Sequence, residues 1–347
     1  MIDIASSLRL RLDRAALVAN WRWLAAQSGA ACGAAIKADG YGLGARAVMR
    51  HLADAGCRDF FVATWAEAAA LMPPPAGVSL SVLHGVGEAD MIAARSLPAR
   101  PVLNSIDQVA RWRAAGEGQP CDVMVDTGMN RLGLTTEEAV SGALAGLAIE
   151  TLMSHLASAD EESAQNARQL AAFGALRDAI PARRYSLANS AGICLGTDYA
   201  FDLTRPGLAL YGGTPRGEAA GHIRQVVCPE ALVLQVRDVR VGETVGYGAT
   251  WTAQVDTRVA IANLGYADGY LRCHGGTGGA TWQGAALPLI GRVSMDLTAF
   301  DASDADAIGE GDWLALDYHL PDVAAHSGLS QYELLTGLGP RFERIWN

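Results

Sequence analysis

A lysine, Lys37, closes the short apolar run AAIK, and the segment that follows, ADGYGLG, sets Tyr41 among Gly40, Gly42 and Gly44. A lysine at the end of a buried strand can lose its charge by desolvation and become a nucleophilic amine. The chemistry that suits such an amine is a Schiff base with a carbonyl, either of a substrate or of pyridoxal phosphate. Position alone favours a plainer reading, a lysine that snorkels to the rim and stays solvated. Tyr41 and the glycines shift that balance, because a phenol and the N–H groups of a glycine turn suit a phosphate held beside the amine.

Other residues of the same kind follow β-rich runs. ANSAG supplies Asn189 and the hydroxyl of Ser190; TRPGLALYGG supplies Arg205 and the amides of Gly207 and Leu208, at the opening of a helix or turn. Backbone amides and a hydroxyl there suit a phosphate dianion. Arg131 lies in VDTGMNRLG and His155 in SHLASAD. Each has an ordinary alternative: a turn glycine, a surface arginine, an arginine on turn carbonyls, a satisfied core histidine. Further along, Tyr247 in VGYGATWTA and Tyr266 in LGYADGYLR sit in glycine-flanked turns, and GRVSMDLTAF offers Met295 and Asp296. Taken alone, each tyrosine reads as an aromatic anchor of a β-turn.

These residues need a scaffold that brings strand ends together. Apolar or β-branched runs occur at 32–38, 59–64, 79–85, 100–104, 121–128, 150–157, 184–190 and 201–207. Helix-like stretches lie between them, several opened by a capping residue: Asp13, Thr64, Ser105, Thr135 and Ser163. Repeated β-then-α units predict a (β/α)8 TIM-type barrel, whose C-terminal mouth is where barrel enzymes build their sites. From about residue 228 the pattern turns to period-two runs broken by Gly, Asp and Asn, which predicts a mostly β C-terminal domain. The expected division is 8–227 for the barrel and 228–347, with residues 1–7, for the β domain.

Composition narrows the function. The chain has 347 residues, half of them hydrophobic, and a formal net charge of -10. Such an acidic chain is a poor partner for nucleic acid, which needs a basic face. There is no run of about eighteen apolar residues and no signal-peptide pattern at the N-terminus, so no membrane span is expected. The six cysteines are scattered without close pairs, which points to reduced thiols in the cytoplasm, with no metal site expected.

The motifs AIKADGYGLG, VDTGMNRLG, SHLASAD, LANSAG, TRPGLALYG, VGYGATWTA, GYADGY and GRVSMD occur in this order. Together they resemble alanine racemase, over nearly the whole chain, and VGYGATWTA and GYADGY are the most specific to that family. The resemblance implies pyridoxal 5'-phosphate as cofactor and a two-base racemisation of alanine. Lys37 would carry the cofactor and act as one base; Tyr247 would be the other. Tyr41, Ser190, Gly207 and Leu208 would hold the phosphate, His155 and Asn189 would line the ring pocket, and Arg205 would face the pyridine nitrogen. Arg131 would face the phenolic oxygen, Tyr266 would line the way in, and Met295 would contact the substrate carboxylate. A chain through His155 and Arg205 would help Tyr247 act as a base.

The resemblance also implies a homodimer in which each site borrows Tyr247 from the second copy, and D-alanine made for peptidoglycan or broken down. One departure stands out: where many relatives carry a carbamylated lysine that orients the arginine, this chain has Met124, so Arg131 must be held otherwise, by Asn130 or by an anion. A racemase for serine or another small amino acid is a neighbouring reading. A decarboxylase on the same plan would want a reactive cysteine and an acidic partner where Arg205 stands. A simple pyridoxal-phosphate carrier would lack the β domain.

Overall fold

The structure, a computed structural model, describes residues 5–347. It divides into two compact units, Leu17–Arg224 and the residues up to Ala16 together with Gln225–Asn347. The first strand, β1 (Leu8–Leu12), accordingly departs from the expected start of the barrel: it pairs with strands of the second unit. Its alternation of buried leucines and half-buried arginines is that of a strand with one face on a core. Of the N-terminal residues expected to join the β domain, 1–4 lie outside the described residues.

The first unit holds strands β2 (Ala31–Cys32), β3 (Ala34–Ala35), β4 (Asp59–Val62), β5 (Ser79–Val82), β6 (Arg100–Leu103), β7 (Cys121–Met124), β8 (Ile149–Met153), β9 (Arg184–Ser186) and β10 (Leu203–Thr204). Strands β3 to β9 form a seven-stranded parallel sheet in chain order. Strand β10 closes it, pairing in parallel with β2 on one side and taking Asp202 N–H to Tyr185 O (3.0 Å) and Arg205 N–H to Ala188 O (2.9 Å) on the other. β2 and β3 are one strand interrupted at Gly33, where a Cβ would lie 2.8 Å from Asp59 O. The ring is therefore the predicted barrel. Phe61, Val102, Met124, Met153 and Leu203 come from five different strands yet pack as one buried cluster, which only a closed interior allows.

The helices of this stretch are α1 (Arg14–Ser28), α2 (Lys37–Tyr41), α3 (Ala45–Ala55), α4 (Trp65–Ala70), α5 (Met91–Ser96), α6 (Ile106–Ala115), α7 (Thr136–Val140), α8 (Ala164–Ala179) and α9 (Ser190–Cys194). The expected caps are made. Asp13 Oδ1 accepts from Ala16 N–H at 2.8 Å, and Thr64 with Glu67 and Thr135 with Glu138 form reciprocal capping boxes. At the N-terminal end of the strands, away from the mouth, Arg184 forks onto Asp59 at 3.0 and 2.7 Å.

The second unit is antiparallel apart from the pairing of β1 with the last strand. Its strands are β11 (Val227–Val239), β12 (Thr244–Val245), β13 (Trp251–Thr252), β14 (Thr257–Ala262), β15 (Gly279–Trp282), β16 (Ala285–Ile290), β17 (Thr298–Asp301), β18 (Trp313–Leu316) and β19 (Glu343–Trp346). The sheet runs β14-β17-β16-β15-β18-β11-β1-β19, and β14 also pairs with β11, closing a small barrel. β11 can serve both ends because its register shifts between Val233 and Gln235, a bulge that bends it. The final segment is a short helix, α11 (Gln331–Thr336), and strand β19, preceded by helix α10 (Leu320–Ser327).

Candidate active site at the barrel mouth

Lys37 stands where β3 runs out. Ile36 before it is fully buried and Lys37 itself half-buried. The chain then turns through residues that L-amino acids seldom combine: Ala38, Asp39, Gly40 and Tyr41 have φ of 52°, 51°, 64° and 54°. A left-handed stretch with non-glycine residues is strained and survives only where neighbours fix it. Here Glu67 does so, its carboxylate accepting Ala38 N–H at 2.7 Å and Ala63 N–H at 2.6 Å. Asp39 Oδ1 accepts Ala45 N–H at 2.9 Å and Gly40 N–H reaches Ile36 O at 2.8 Å. Burial, then the positive charge of Arg131, hold the Lys37 amine below the usual lysine range; Arg205 adds to this and Glu67 opposes it.

The turn delivers Tyr41 to the last strand's exit. Its ring stacks on Tyr211 with centroids 4.6 Å apart, and Tyr211 donates to Ala35 O at 2.8 Å. Gly207 lies against the Tyr41 hydroxyl so closely that a Cβ there would sit 2.1 Å from it. Ser190 Oγ, buried, accepts Gly207 N–H at 2.9 Å and Ala209 N–H at 3.2 Å. The phenol, the hydroxyl and the amides at the Gly207–Leu208 turn thus converge, packed so closely at Gly207 that no side chain fits there. Phenol, hydroxyl and backbone amides are the donor chemistry that suits a phosphate. Asn189 caps α9, its Oδ1 taking Gly192 N–H at 2.8 Å.

Arg205 is only 5% exposed. Its guanidinium donates to Ser186 Oγ and, at 2.5 Å, to Ser154 O. Burial brings it down to about 10, with Asp122 pulling upward, so it keeps its proton at neutral pH. His155, at the end of β8, is pressed down to about 3 by burial and then by the charges of Arg205, Arg131 and Lys37. Its imidazole is therefore neutral. Four sequence-predicted residues feel one another's charge at one mouth.

Arg131 is exposed on a loop folded around Asp126. That carboxylate accepts N–H from Gly128 (2.7 Å), Met129 (2.8 Å) and Arg131 (3.0 Å), and these bonds keep it charged below the usual range despite partial burial. Met124 packs in the apolar barrel cluster. The loop holding Arg131 is thus shaped by Asp126, which the sequence did not single out. Asp126 sits inside VDTGMNRLG and Glu67 in the first turn of α4, where an acid reads as an ordinary turn or capping residue.

The second unit holds the remaining candidates. Tyr247 is 71% exposed at the tip of the β12–β13 hairpin, between Gly246 and Gly248 at φ 80° and 75°. Tyr266 and Met295 come from adjacent loops: Ala267 N–H donates to Met295 O at 3.0 Å, and a Cβ at Gly265 would lie 2.2 Å from the same oxygen. Arg272 lies over the Tyr266 ring, 5.3 Å from its centroid. Arg341, unforeseen in the sequence, pairs with Asp268 at 2.6 Å and Asp296 at 2.8 Å and so fastens both loops. Among the described residues no group of three His, Cys, Asp or Glu side chains could hold a metal, and no helix is long and apolar enough to cross a membrane.

A parallel barrel with an amine of lowered basicity at its mouth, beside an oxyanion cradle, and with an antiparallel β unit after it, defines a lysine-dependent barrel enzyme. Family comparison makes this specific: the model of the alanine racemase N-terminal domain matches residues 12–215 and that of the C-terminal domain residues 226–346, so the chain belongs to the alanine racemase family. An alanine racemase of Acidiphilium cryptum is 44% identical, the match covering 97% of this chain and 98% of the relative. The crystal structure of alanine racemase from Bartonella henselae with covalently bound pyridoxal phosphate superposes with a TM-score of 0.91 at 35% identity, over 99% of this chain and 100% of that one. The biosynthetic alanine racemase of Pseudomonas aeruginosa gives 0.88 at 32%, with the same coverage.

Proposed function

We propose that this chain interconverts L- and D-alanine with pyridoxal 5'-phosphate, using Lys37 and Tyr247 as its two bases. The observation that carries the reading is the Lys37 amine, held below its ordinary pKa beside the cradle of Tyr41, Ser190 and the Gly207 turn. Lys37 would hold the cofactor, which supplies the electron sink that makes the α-proton of the amino acid acidic. Tyr41, Ser190, Gly207 and Leu208 would hold its phosphate. Arg205, protonated and buried, would face the ring nitrogen and leave it without a proton of its own. His155 and Asn189 would line the ring, and Arg131 would face the phenolic oxygen.

Racemisation takes a proton from one face of the α-carbon and returns one to the other. Lys37 Nζ is suited to the first task by its depressed basicity, which keeps a share of it neutral and able to accept. Tyr247 Oη would serve the opposite face. Its exposure at a hairpin tip suits a residue lent to a second copy of the chain, and the reading therefore includes a homodimer with shared sites. Tyr266 would line the way in and Met295 would contact the substrate carboxylate. The neutral His155 and the charged Arg205 would steer Tyr247 towards its base form. The free cysteines accord with a cytoplasmic enzyme, and the product accords with supply of D-alanine for peptidoglycan.

Proton NMR of the holoenzyme with L-alanine in D2O, followed by chiral analysis, tests this. The α-proton signal should vanish while D-alanine approaches a one-to-one mixture. Exchange without inversion would remove Tyr247 from its role; no exchange at all would remove alanine as the substrate.

A further inference from the structure

We infer that Gln169 is a positioning residue of this site, tying the loop that carries Arg131 to the strand end that carries His155. Gln169 lies on α8, outside the mouth, and is 0% exposed. Its amide reaches three partners on two segments. Nε2 donates to Thr127 Oγ1 at 3.2 Å and to His155 O at 2.9 Å, and Oε1 accepts Ala157 N–H at 2.9 Å. Thr127 in turn shares a 2.8 Å hydrogen bond with Ser154 Oγ, and Ser154 O receives Arg205. One helical turn earlier, Gln165 donates to Gly128 O at 2.7 Å and accepts from Ser158 Oγ at 3.1 Å. Residues four apart share one helix face, so α8 presents a paired amide clamp to both loops.

A buried amide of this kind is costly unless its donors and acceptor are all met. Apolar residues would fill the same place on a helix whose only task was packing. Gln169 instead matches two carbonyl or hydroxyl acceptors and one N–H that strand pairing leaves at the ends of β7 and β8. Among the described residues Arg131 and His155 share no hydrogen bond; the amide joins their two segments through Thr127 Oγ1 and His155 O. The inference rests on the proposed roles of Arg131 and His155.

The test uses Gln169→Glu, which keeps the acceptor for Ala157 and loses both donors, and Gln169→Met, which keeps the bulk alone. Apoprotein of each is titrated with pyridoxal phosphate at pH 8 and pH 6, and affinities are taken relative to the unaltered chain at the same pH. Gln169→Glu should bind about tenfold more weakly at pH 8, the size of one lost buried hydrogen bond. At pH 6 the gap should narrow, because a carboxyl buried this deeply takes up its proton over roughly pH 6 to 8 and can donate again. Gln169→Met should lose the same factor at both pH values; should it not fold, Gln169→Glu alone decides. Unaltered affinity, or a loss in Gln169→Glu that ignores pH, would overturn the inference. The unaltered holoenzyme is assayed on alanine alongside: its inactivity would strike the proposed function, whereas an active enzyme with indifferent variants would strike Gln169 only.

Discussion

His155 shows how a single side chain can be recognised from sequence and still need the structure for its state. SHLASAD marks the residue, but a histidine in an apolar strand, taken alone, is more often a satisfied core histidine than a working one. What decides its protonation is burial first and then the company of Arg205, Arg131 and Lys37, whose positions are separated by dozens of residues in the chain. The sign of the consequence can be worked out. The unfolded histidine titrates near the ordinary value of 6.5 and the folded one at about 3. Between these values the unfolded chain binds the extra proton, so stability is intact above about 6.5 and falls as pH drops through that window, by at most about 1.4 kcal/mol per pH unit. Urea midpoints between pH 7 and pH 4 should fall less steeply for His155→Gln than for the unaltered chain. Parallel slopes would mean the imidazole is solvated enough to titrate normally. Gly207 is the opposite case: its identity was legible as a turn glycine, and only the Tyr41 hydroxyl, which a Cβ here would meet at 2.1 Å, explains why a side chain does not fit.

Between residue and domain, the short element is where the reading of the sequence was strongest and also where it missed most. Capping residues announced α1, α4, α6, α7 and α8, because a cap is a local interaction that a few letters encode. α5 and α10 escaped because neither opens with a side-chain cap of that kind. The left-handed turn after Lys37 escaped as well: three non-glycine residues at positive φ are held by Glu67, a residue of the next βα unit, 29 positions away from Ala38. Glu67 thereby joins two tasks, capping α4 and presenting a negative charge to Lys37. Replacing it by Gln keeps the shape, leaves one of the two backbone N–H donors without its acceptor, and removes the interaction that opposes the lowering of the Lys37 pKa. The Lys37 amine should then lose its proton at lower pH still, and α4 should be weakened by about 1 kcal/mol. The pH midpoint for uptake of pyridoxal phosphate by the apoprotein should move down in Glu67→Gln. A midpoint that stays put would mean that solvent screens the carboxylate from Nζ.

At the scale of the whole chain, the barrel was legible because its strands follow one another in order and each pairs with the next. The β unit was legible only as a class, since β1 finds its partners Ala231 to Val227 more than two hundred positions away, and nothing in LRLRL names them. The same limit applies to Tyr247: its glycines mark a turn, whereas the site it would serve depends, in the proposed reading, on assembly. That assembly can be tested by counting sites. In the proposed C2 dimer each site would combine Lys37 of one copy with Tyr247 of the other. A Lys37→Ala chain and a Tyr247→Ala chain are each inactive alone, because every site lacks one base. After exchange, half the dimers are mixed, and each mixed dimer has one site without either base and one with both. Activity should therefore rise to about one quarter of that of the unaltered enzyme at equal total chain, the fraction set by random pairing. If Tyr247 served its own chain, every site in the mixture would still lack one base and recovery would be nil, however complete the exchange measured by a mass-labelled copy. A quarter or nothing is a wide enough gap that modest differences in folding or cofactor loading cannot turn one result into the other.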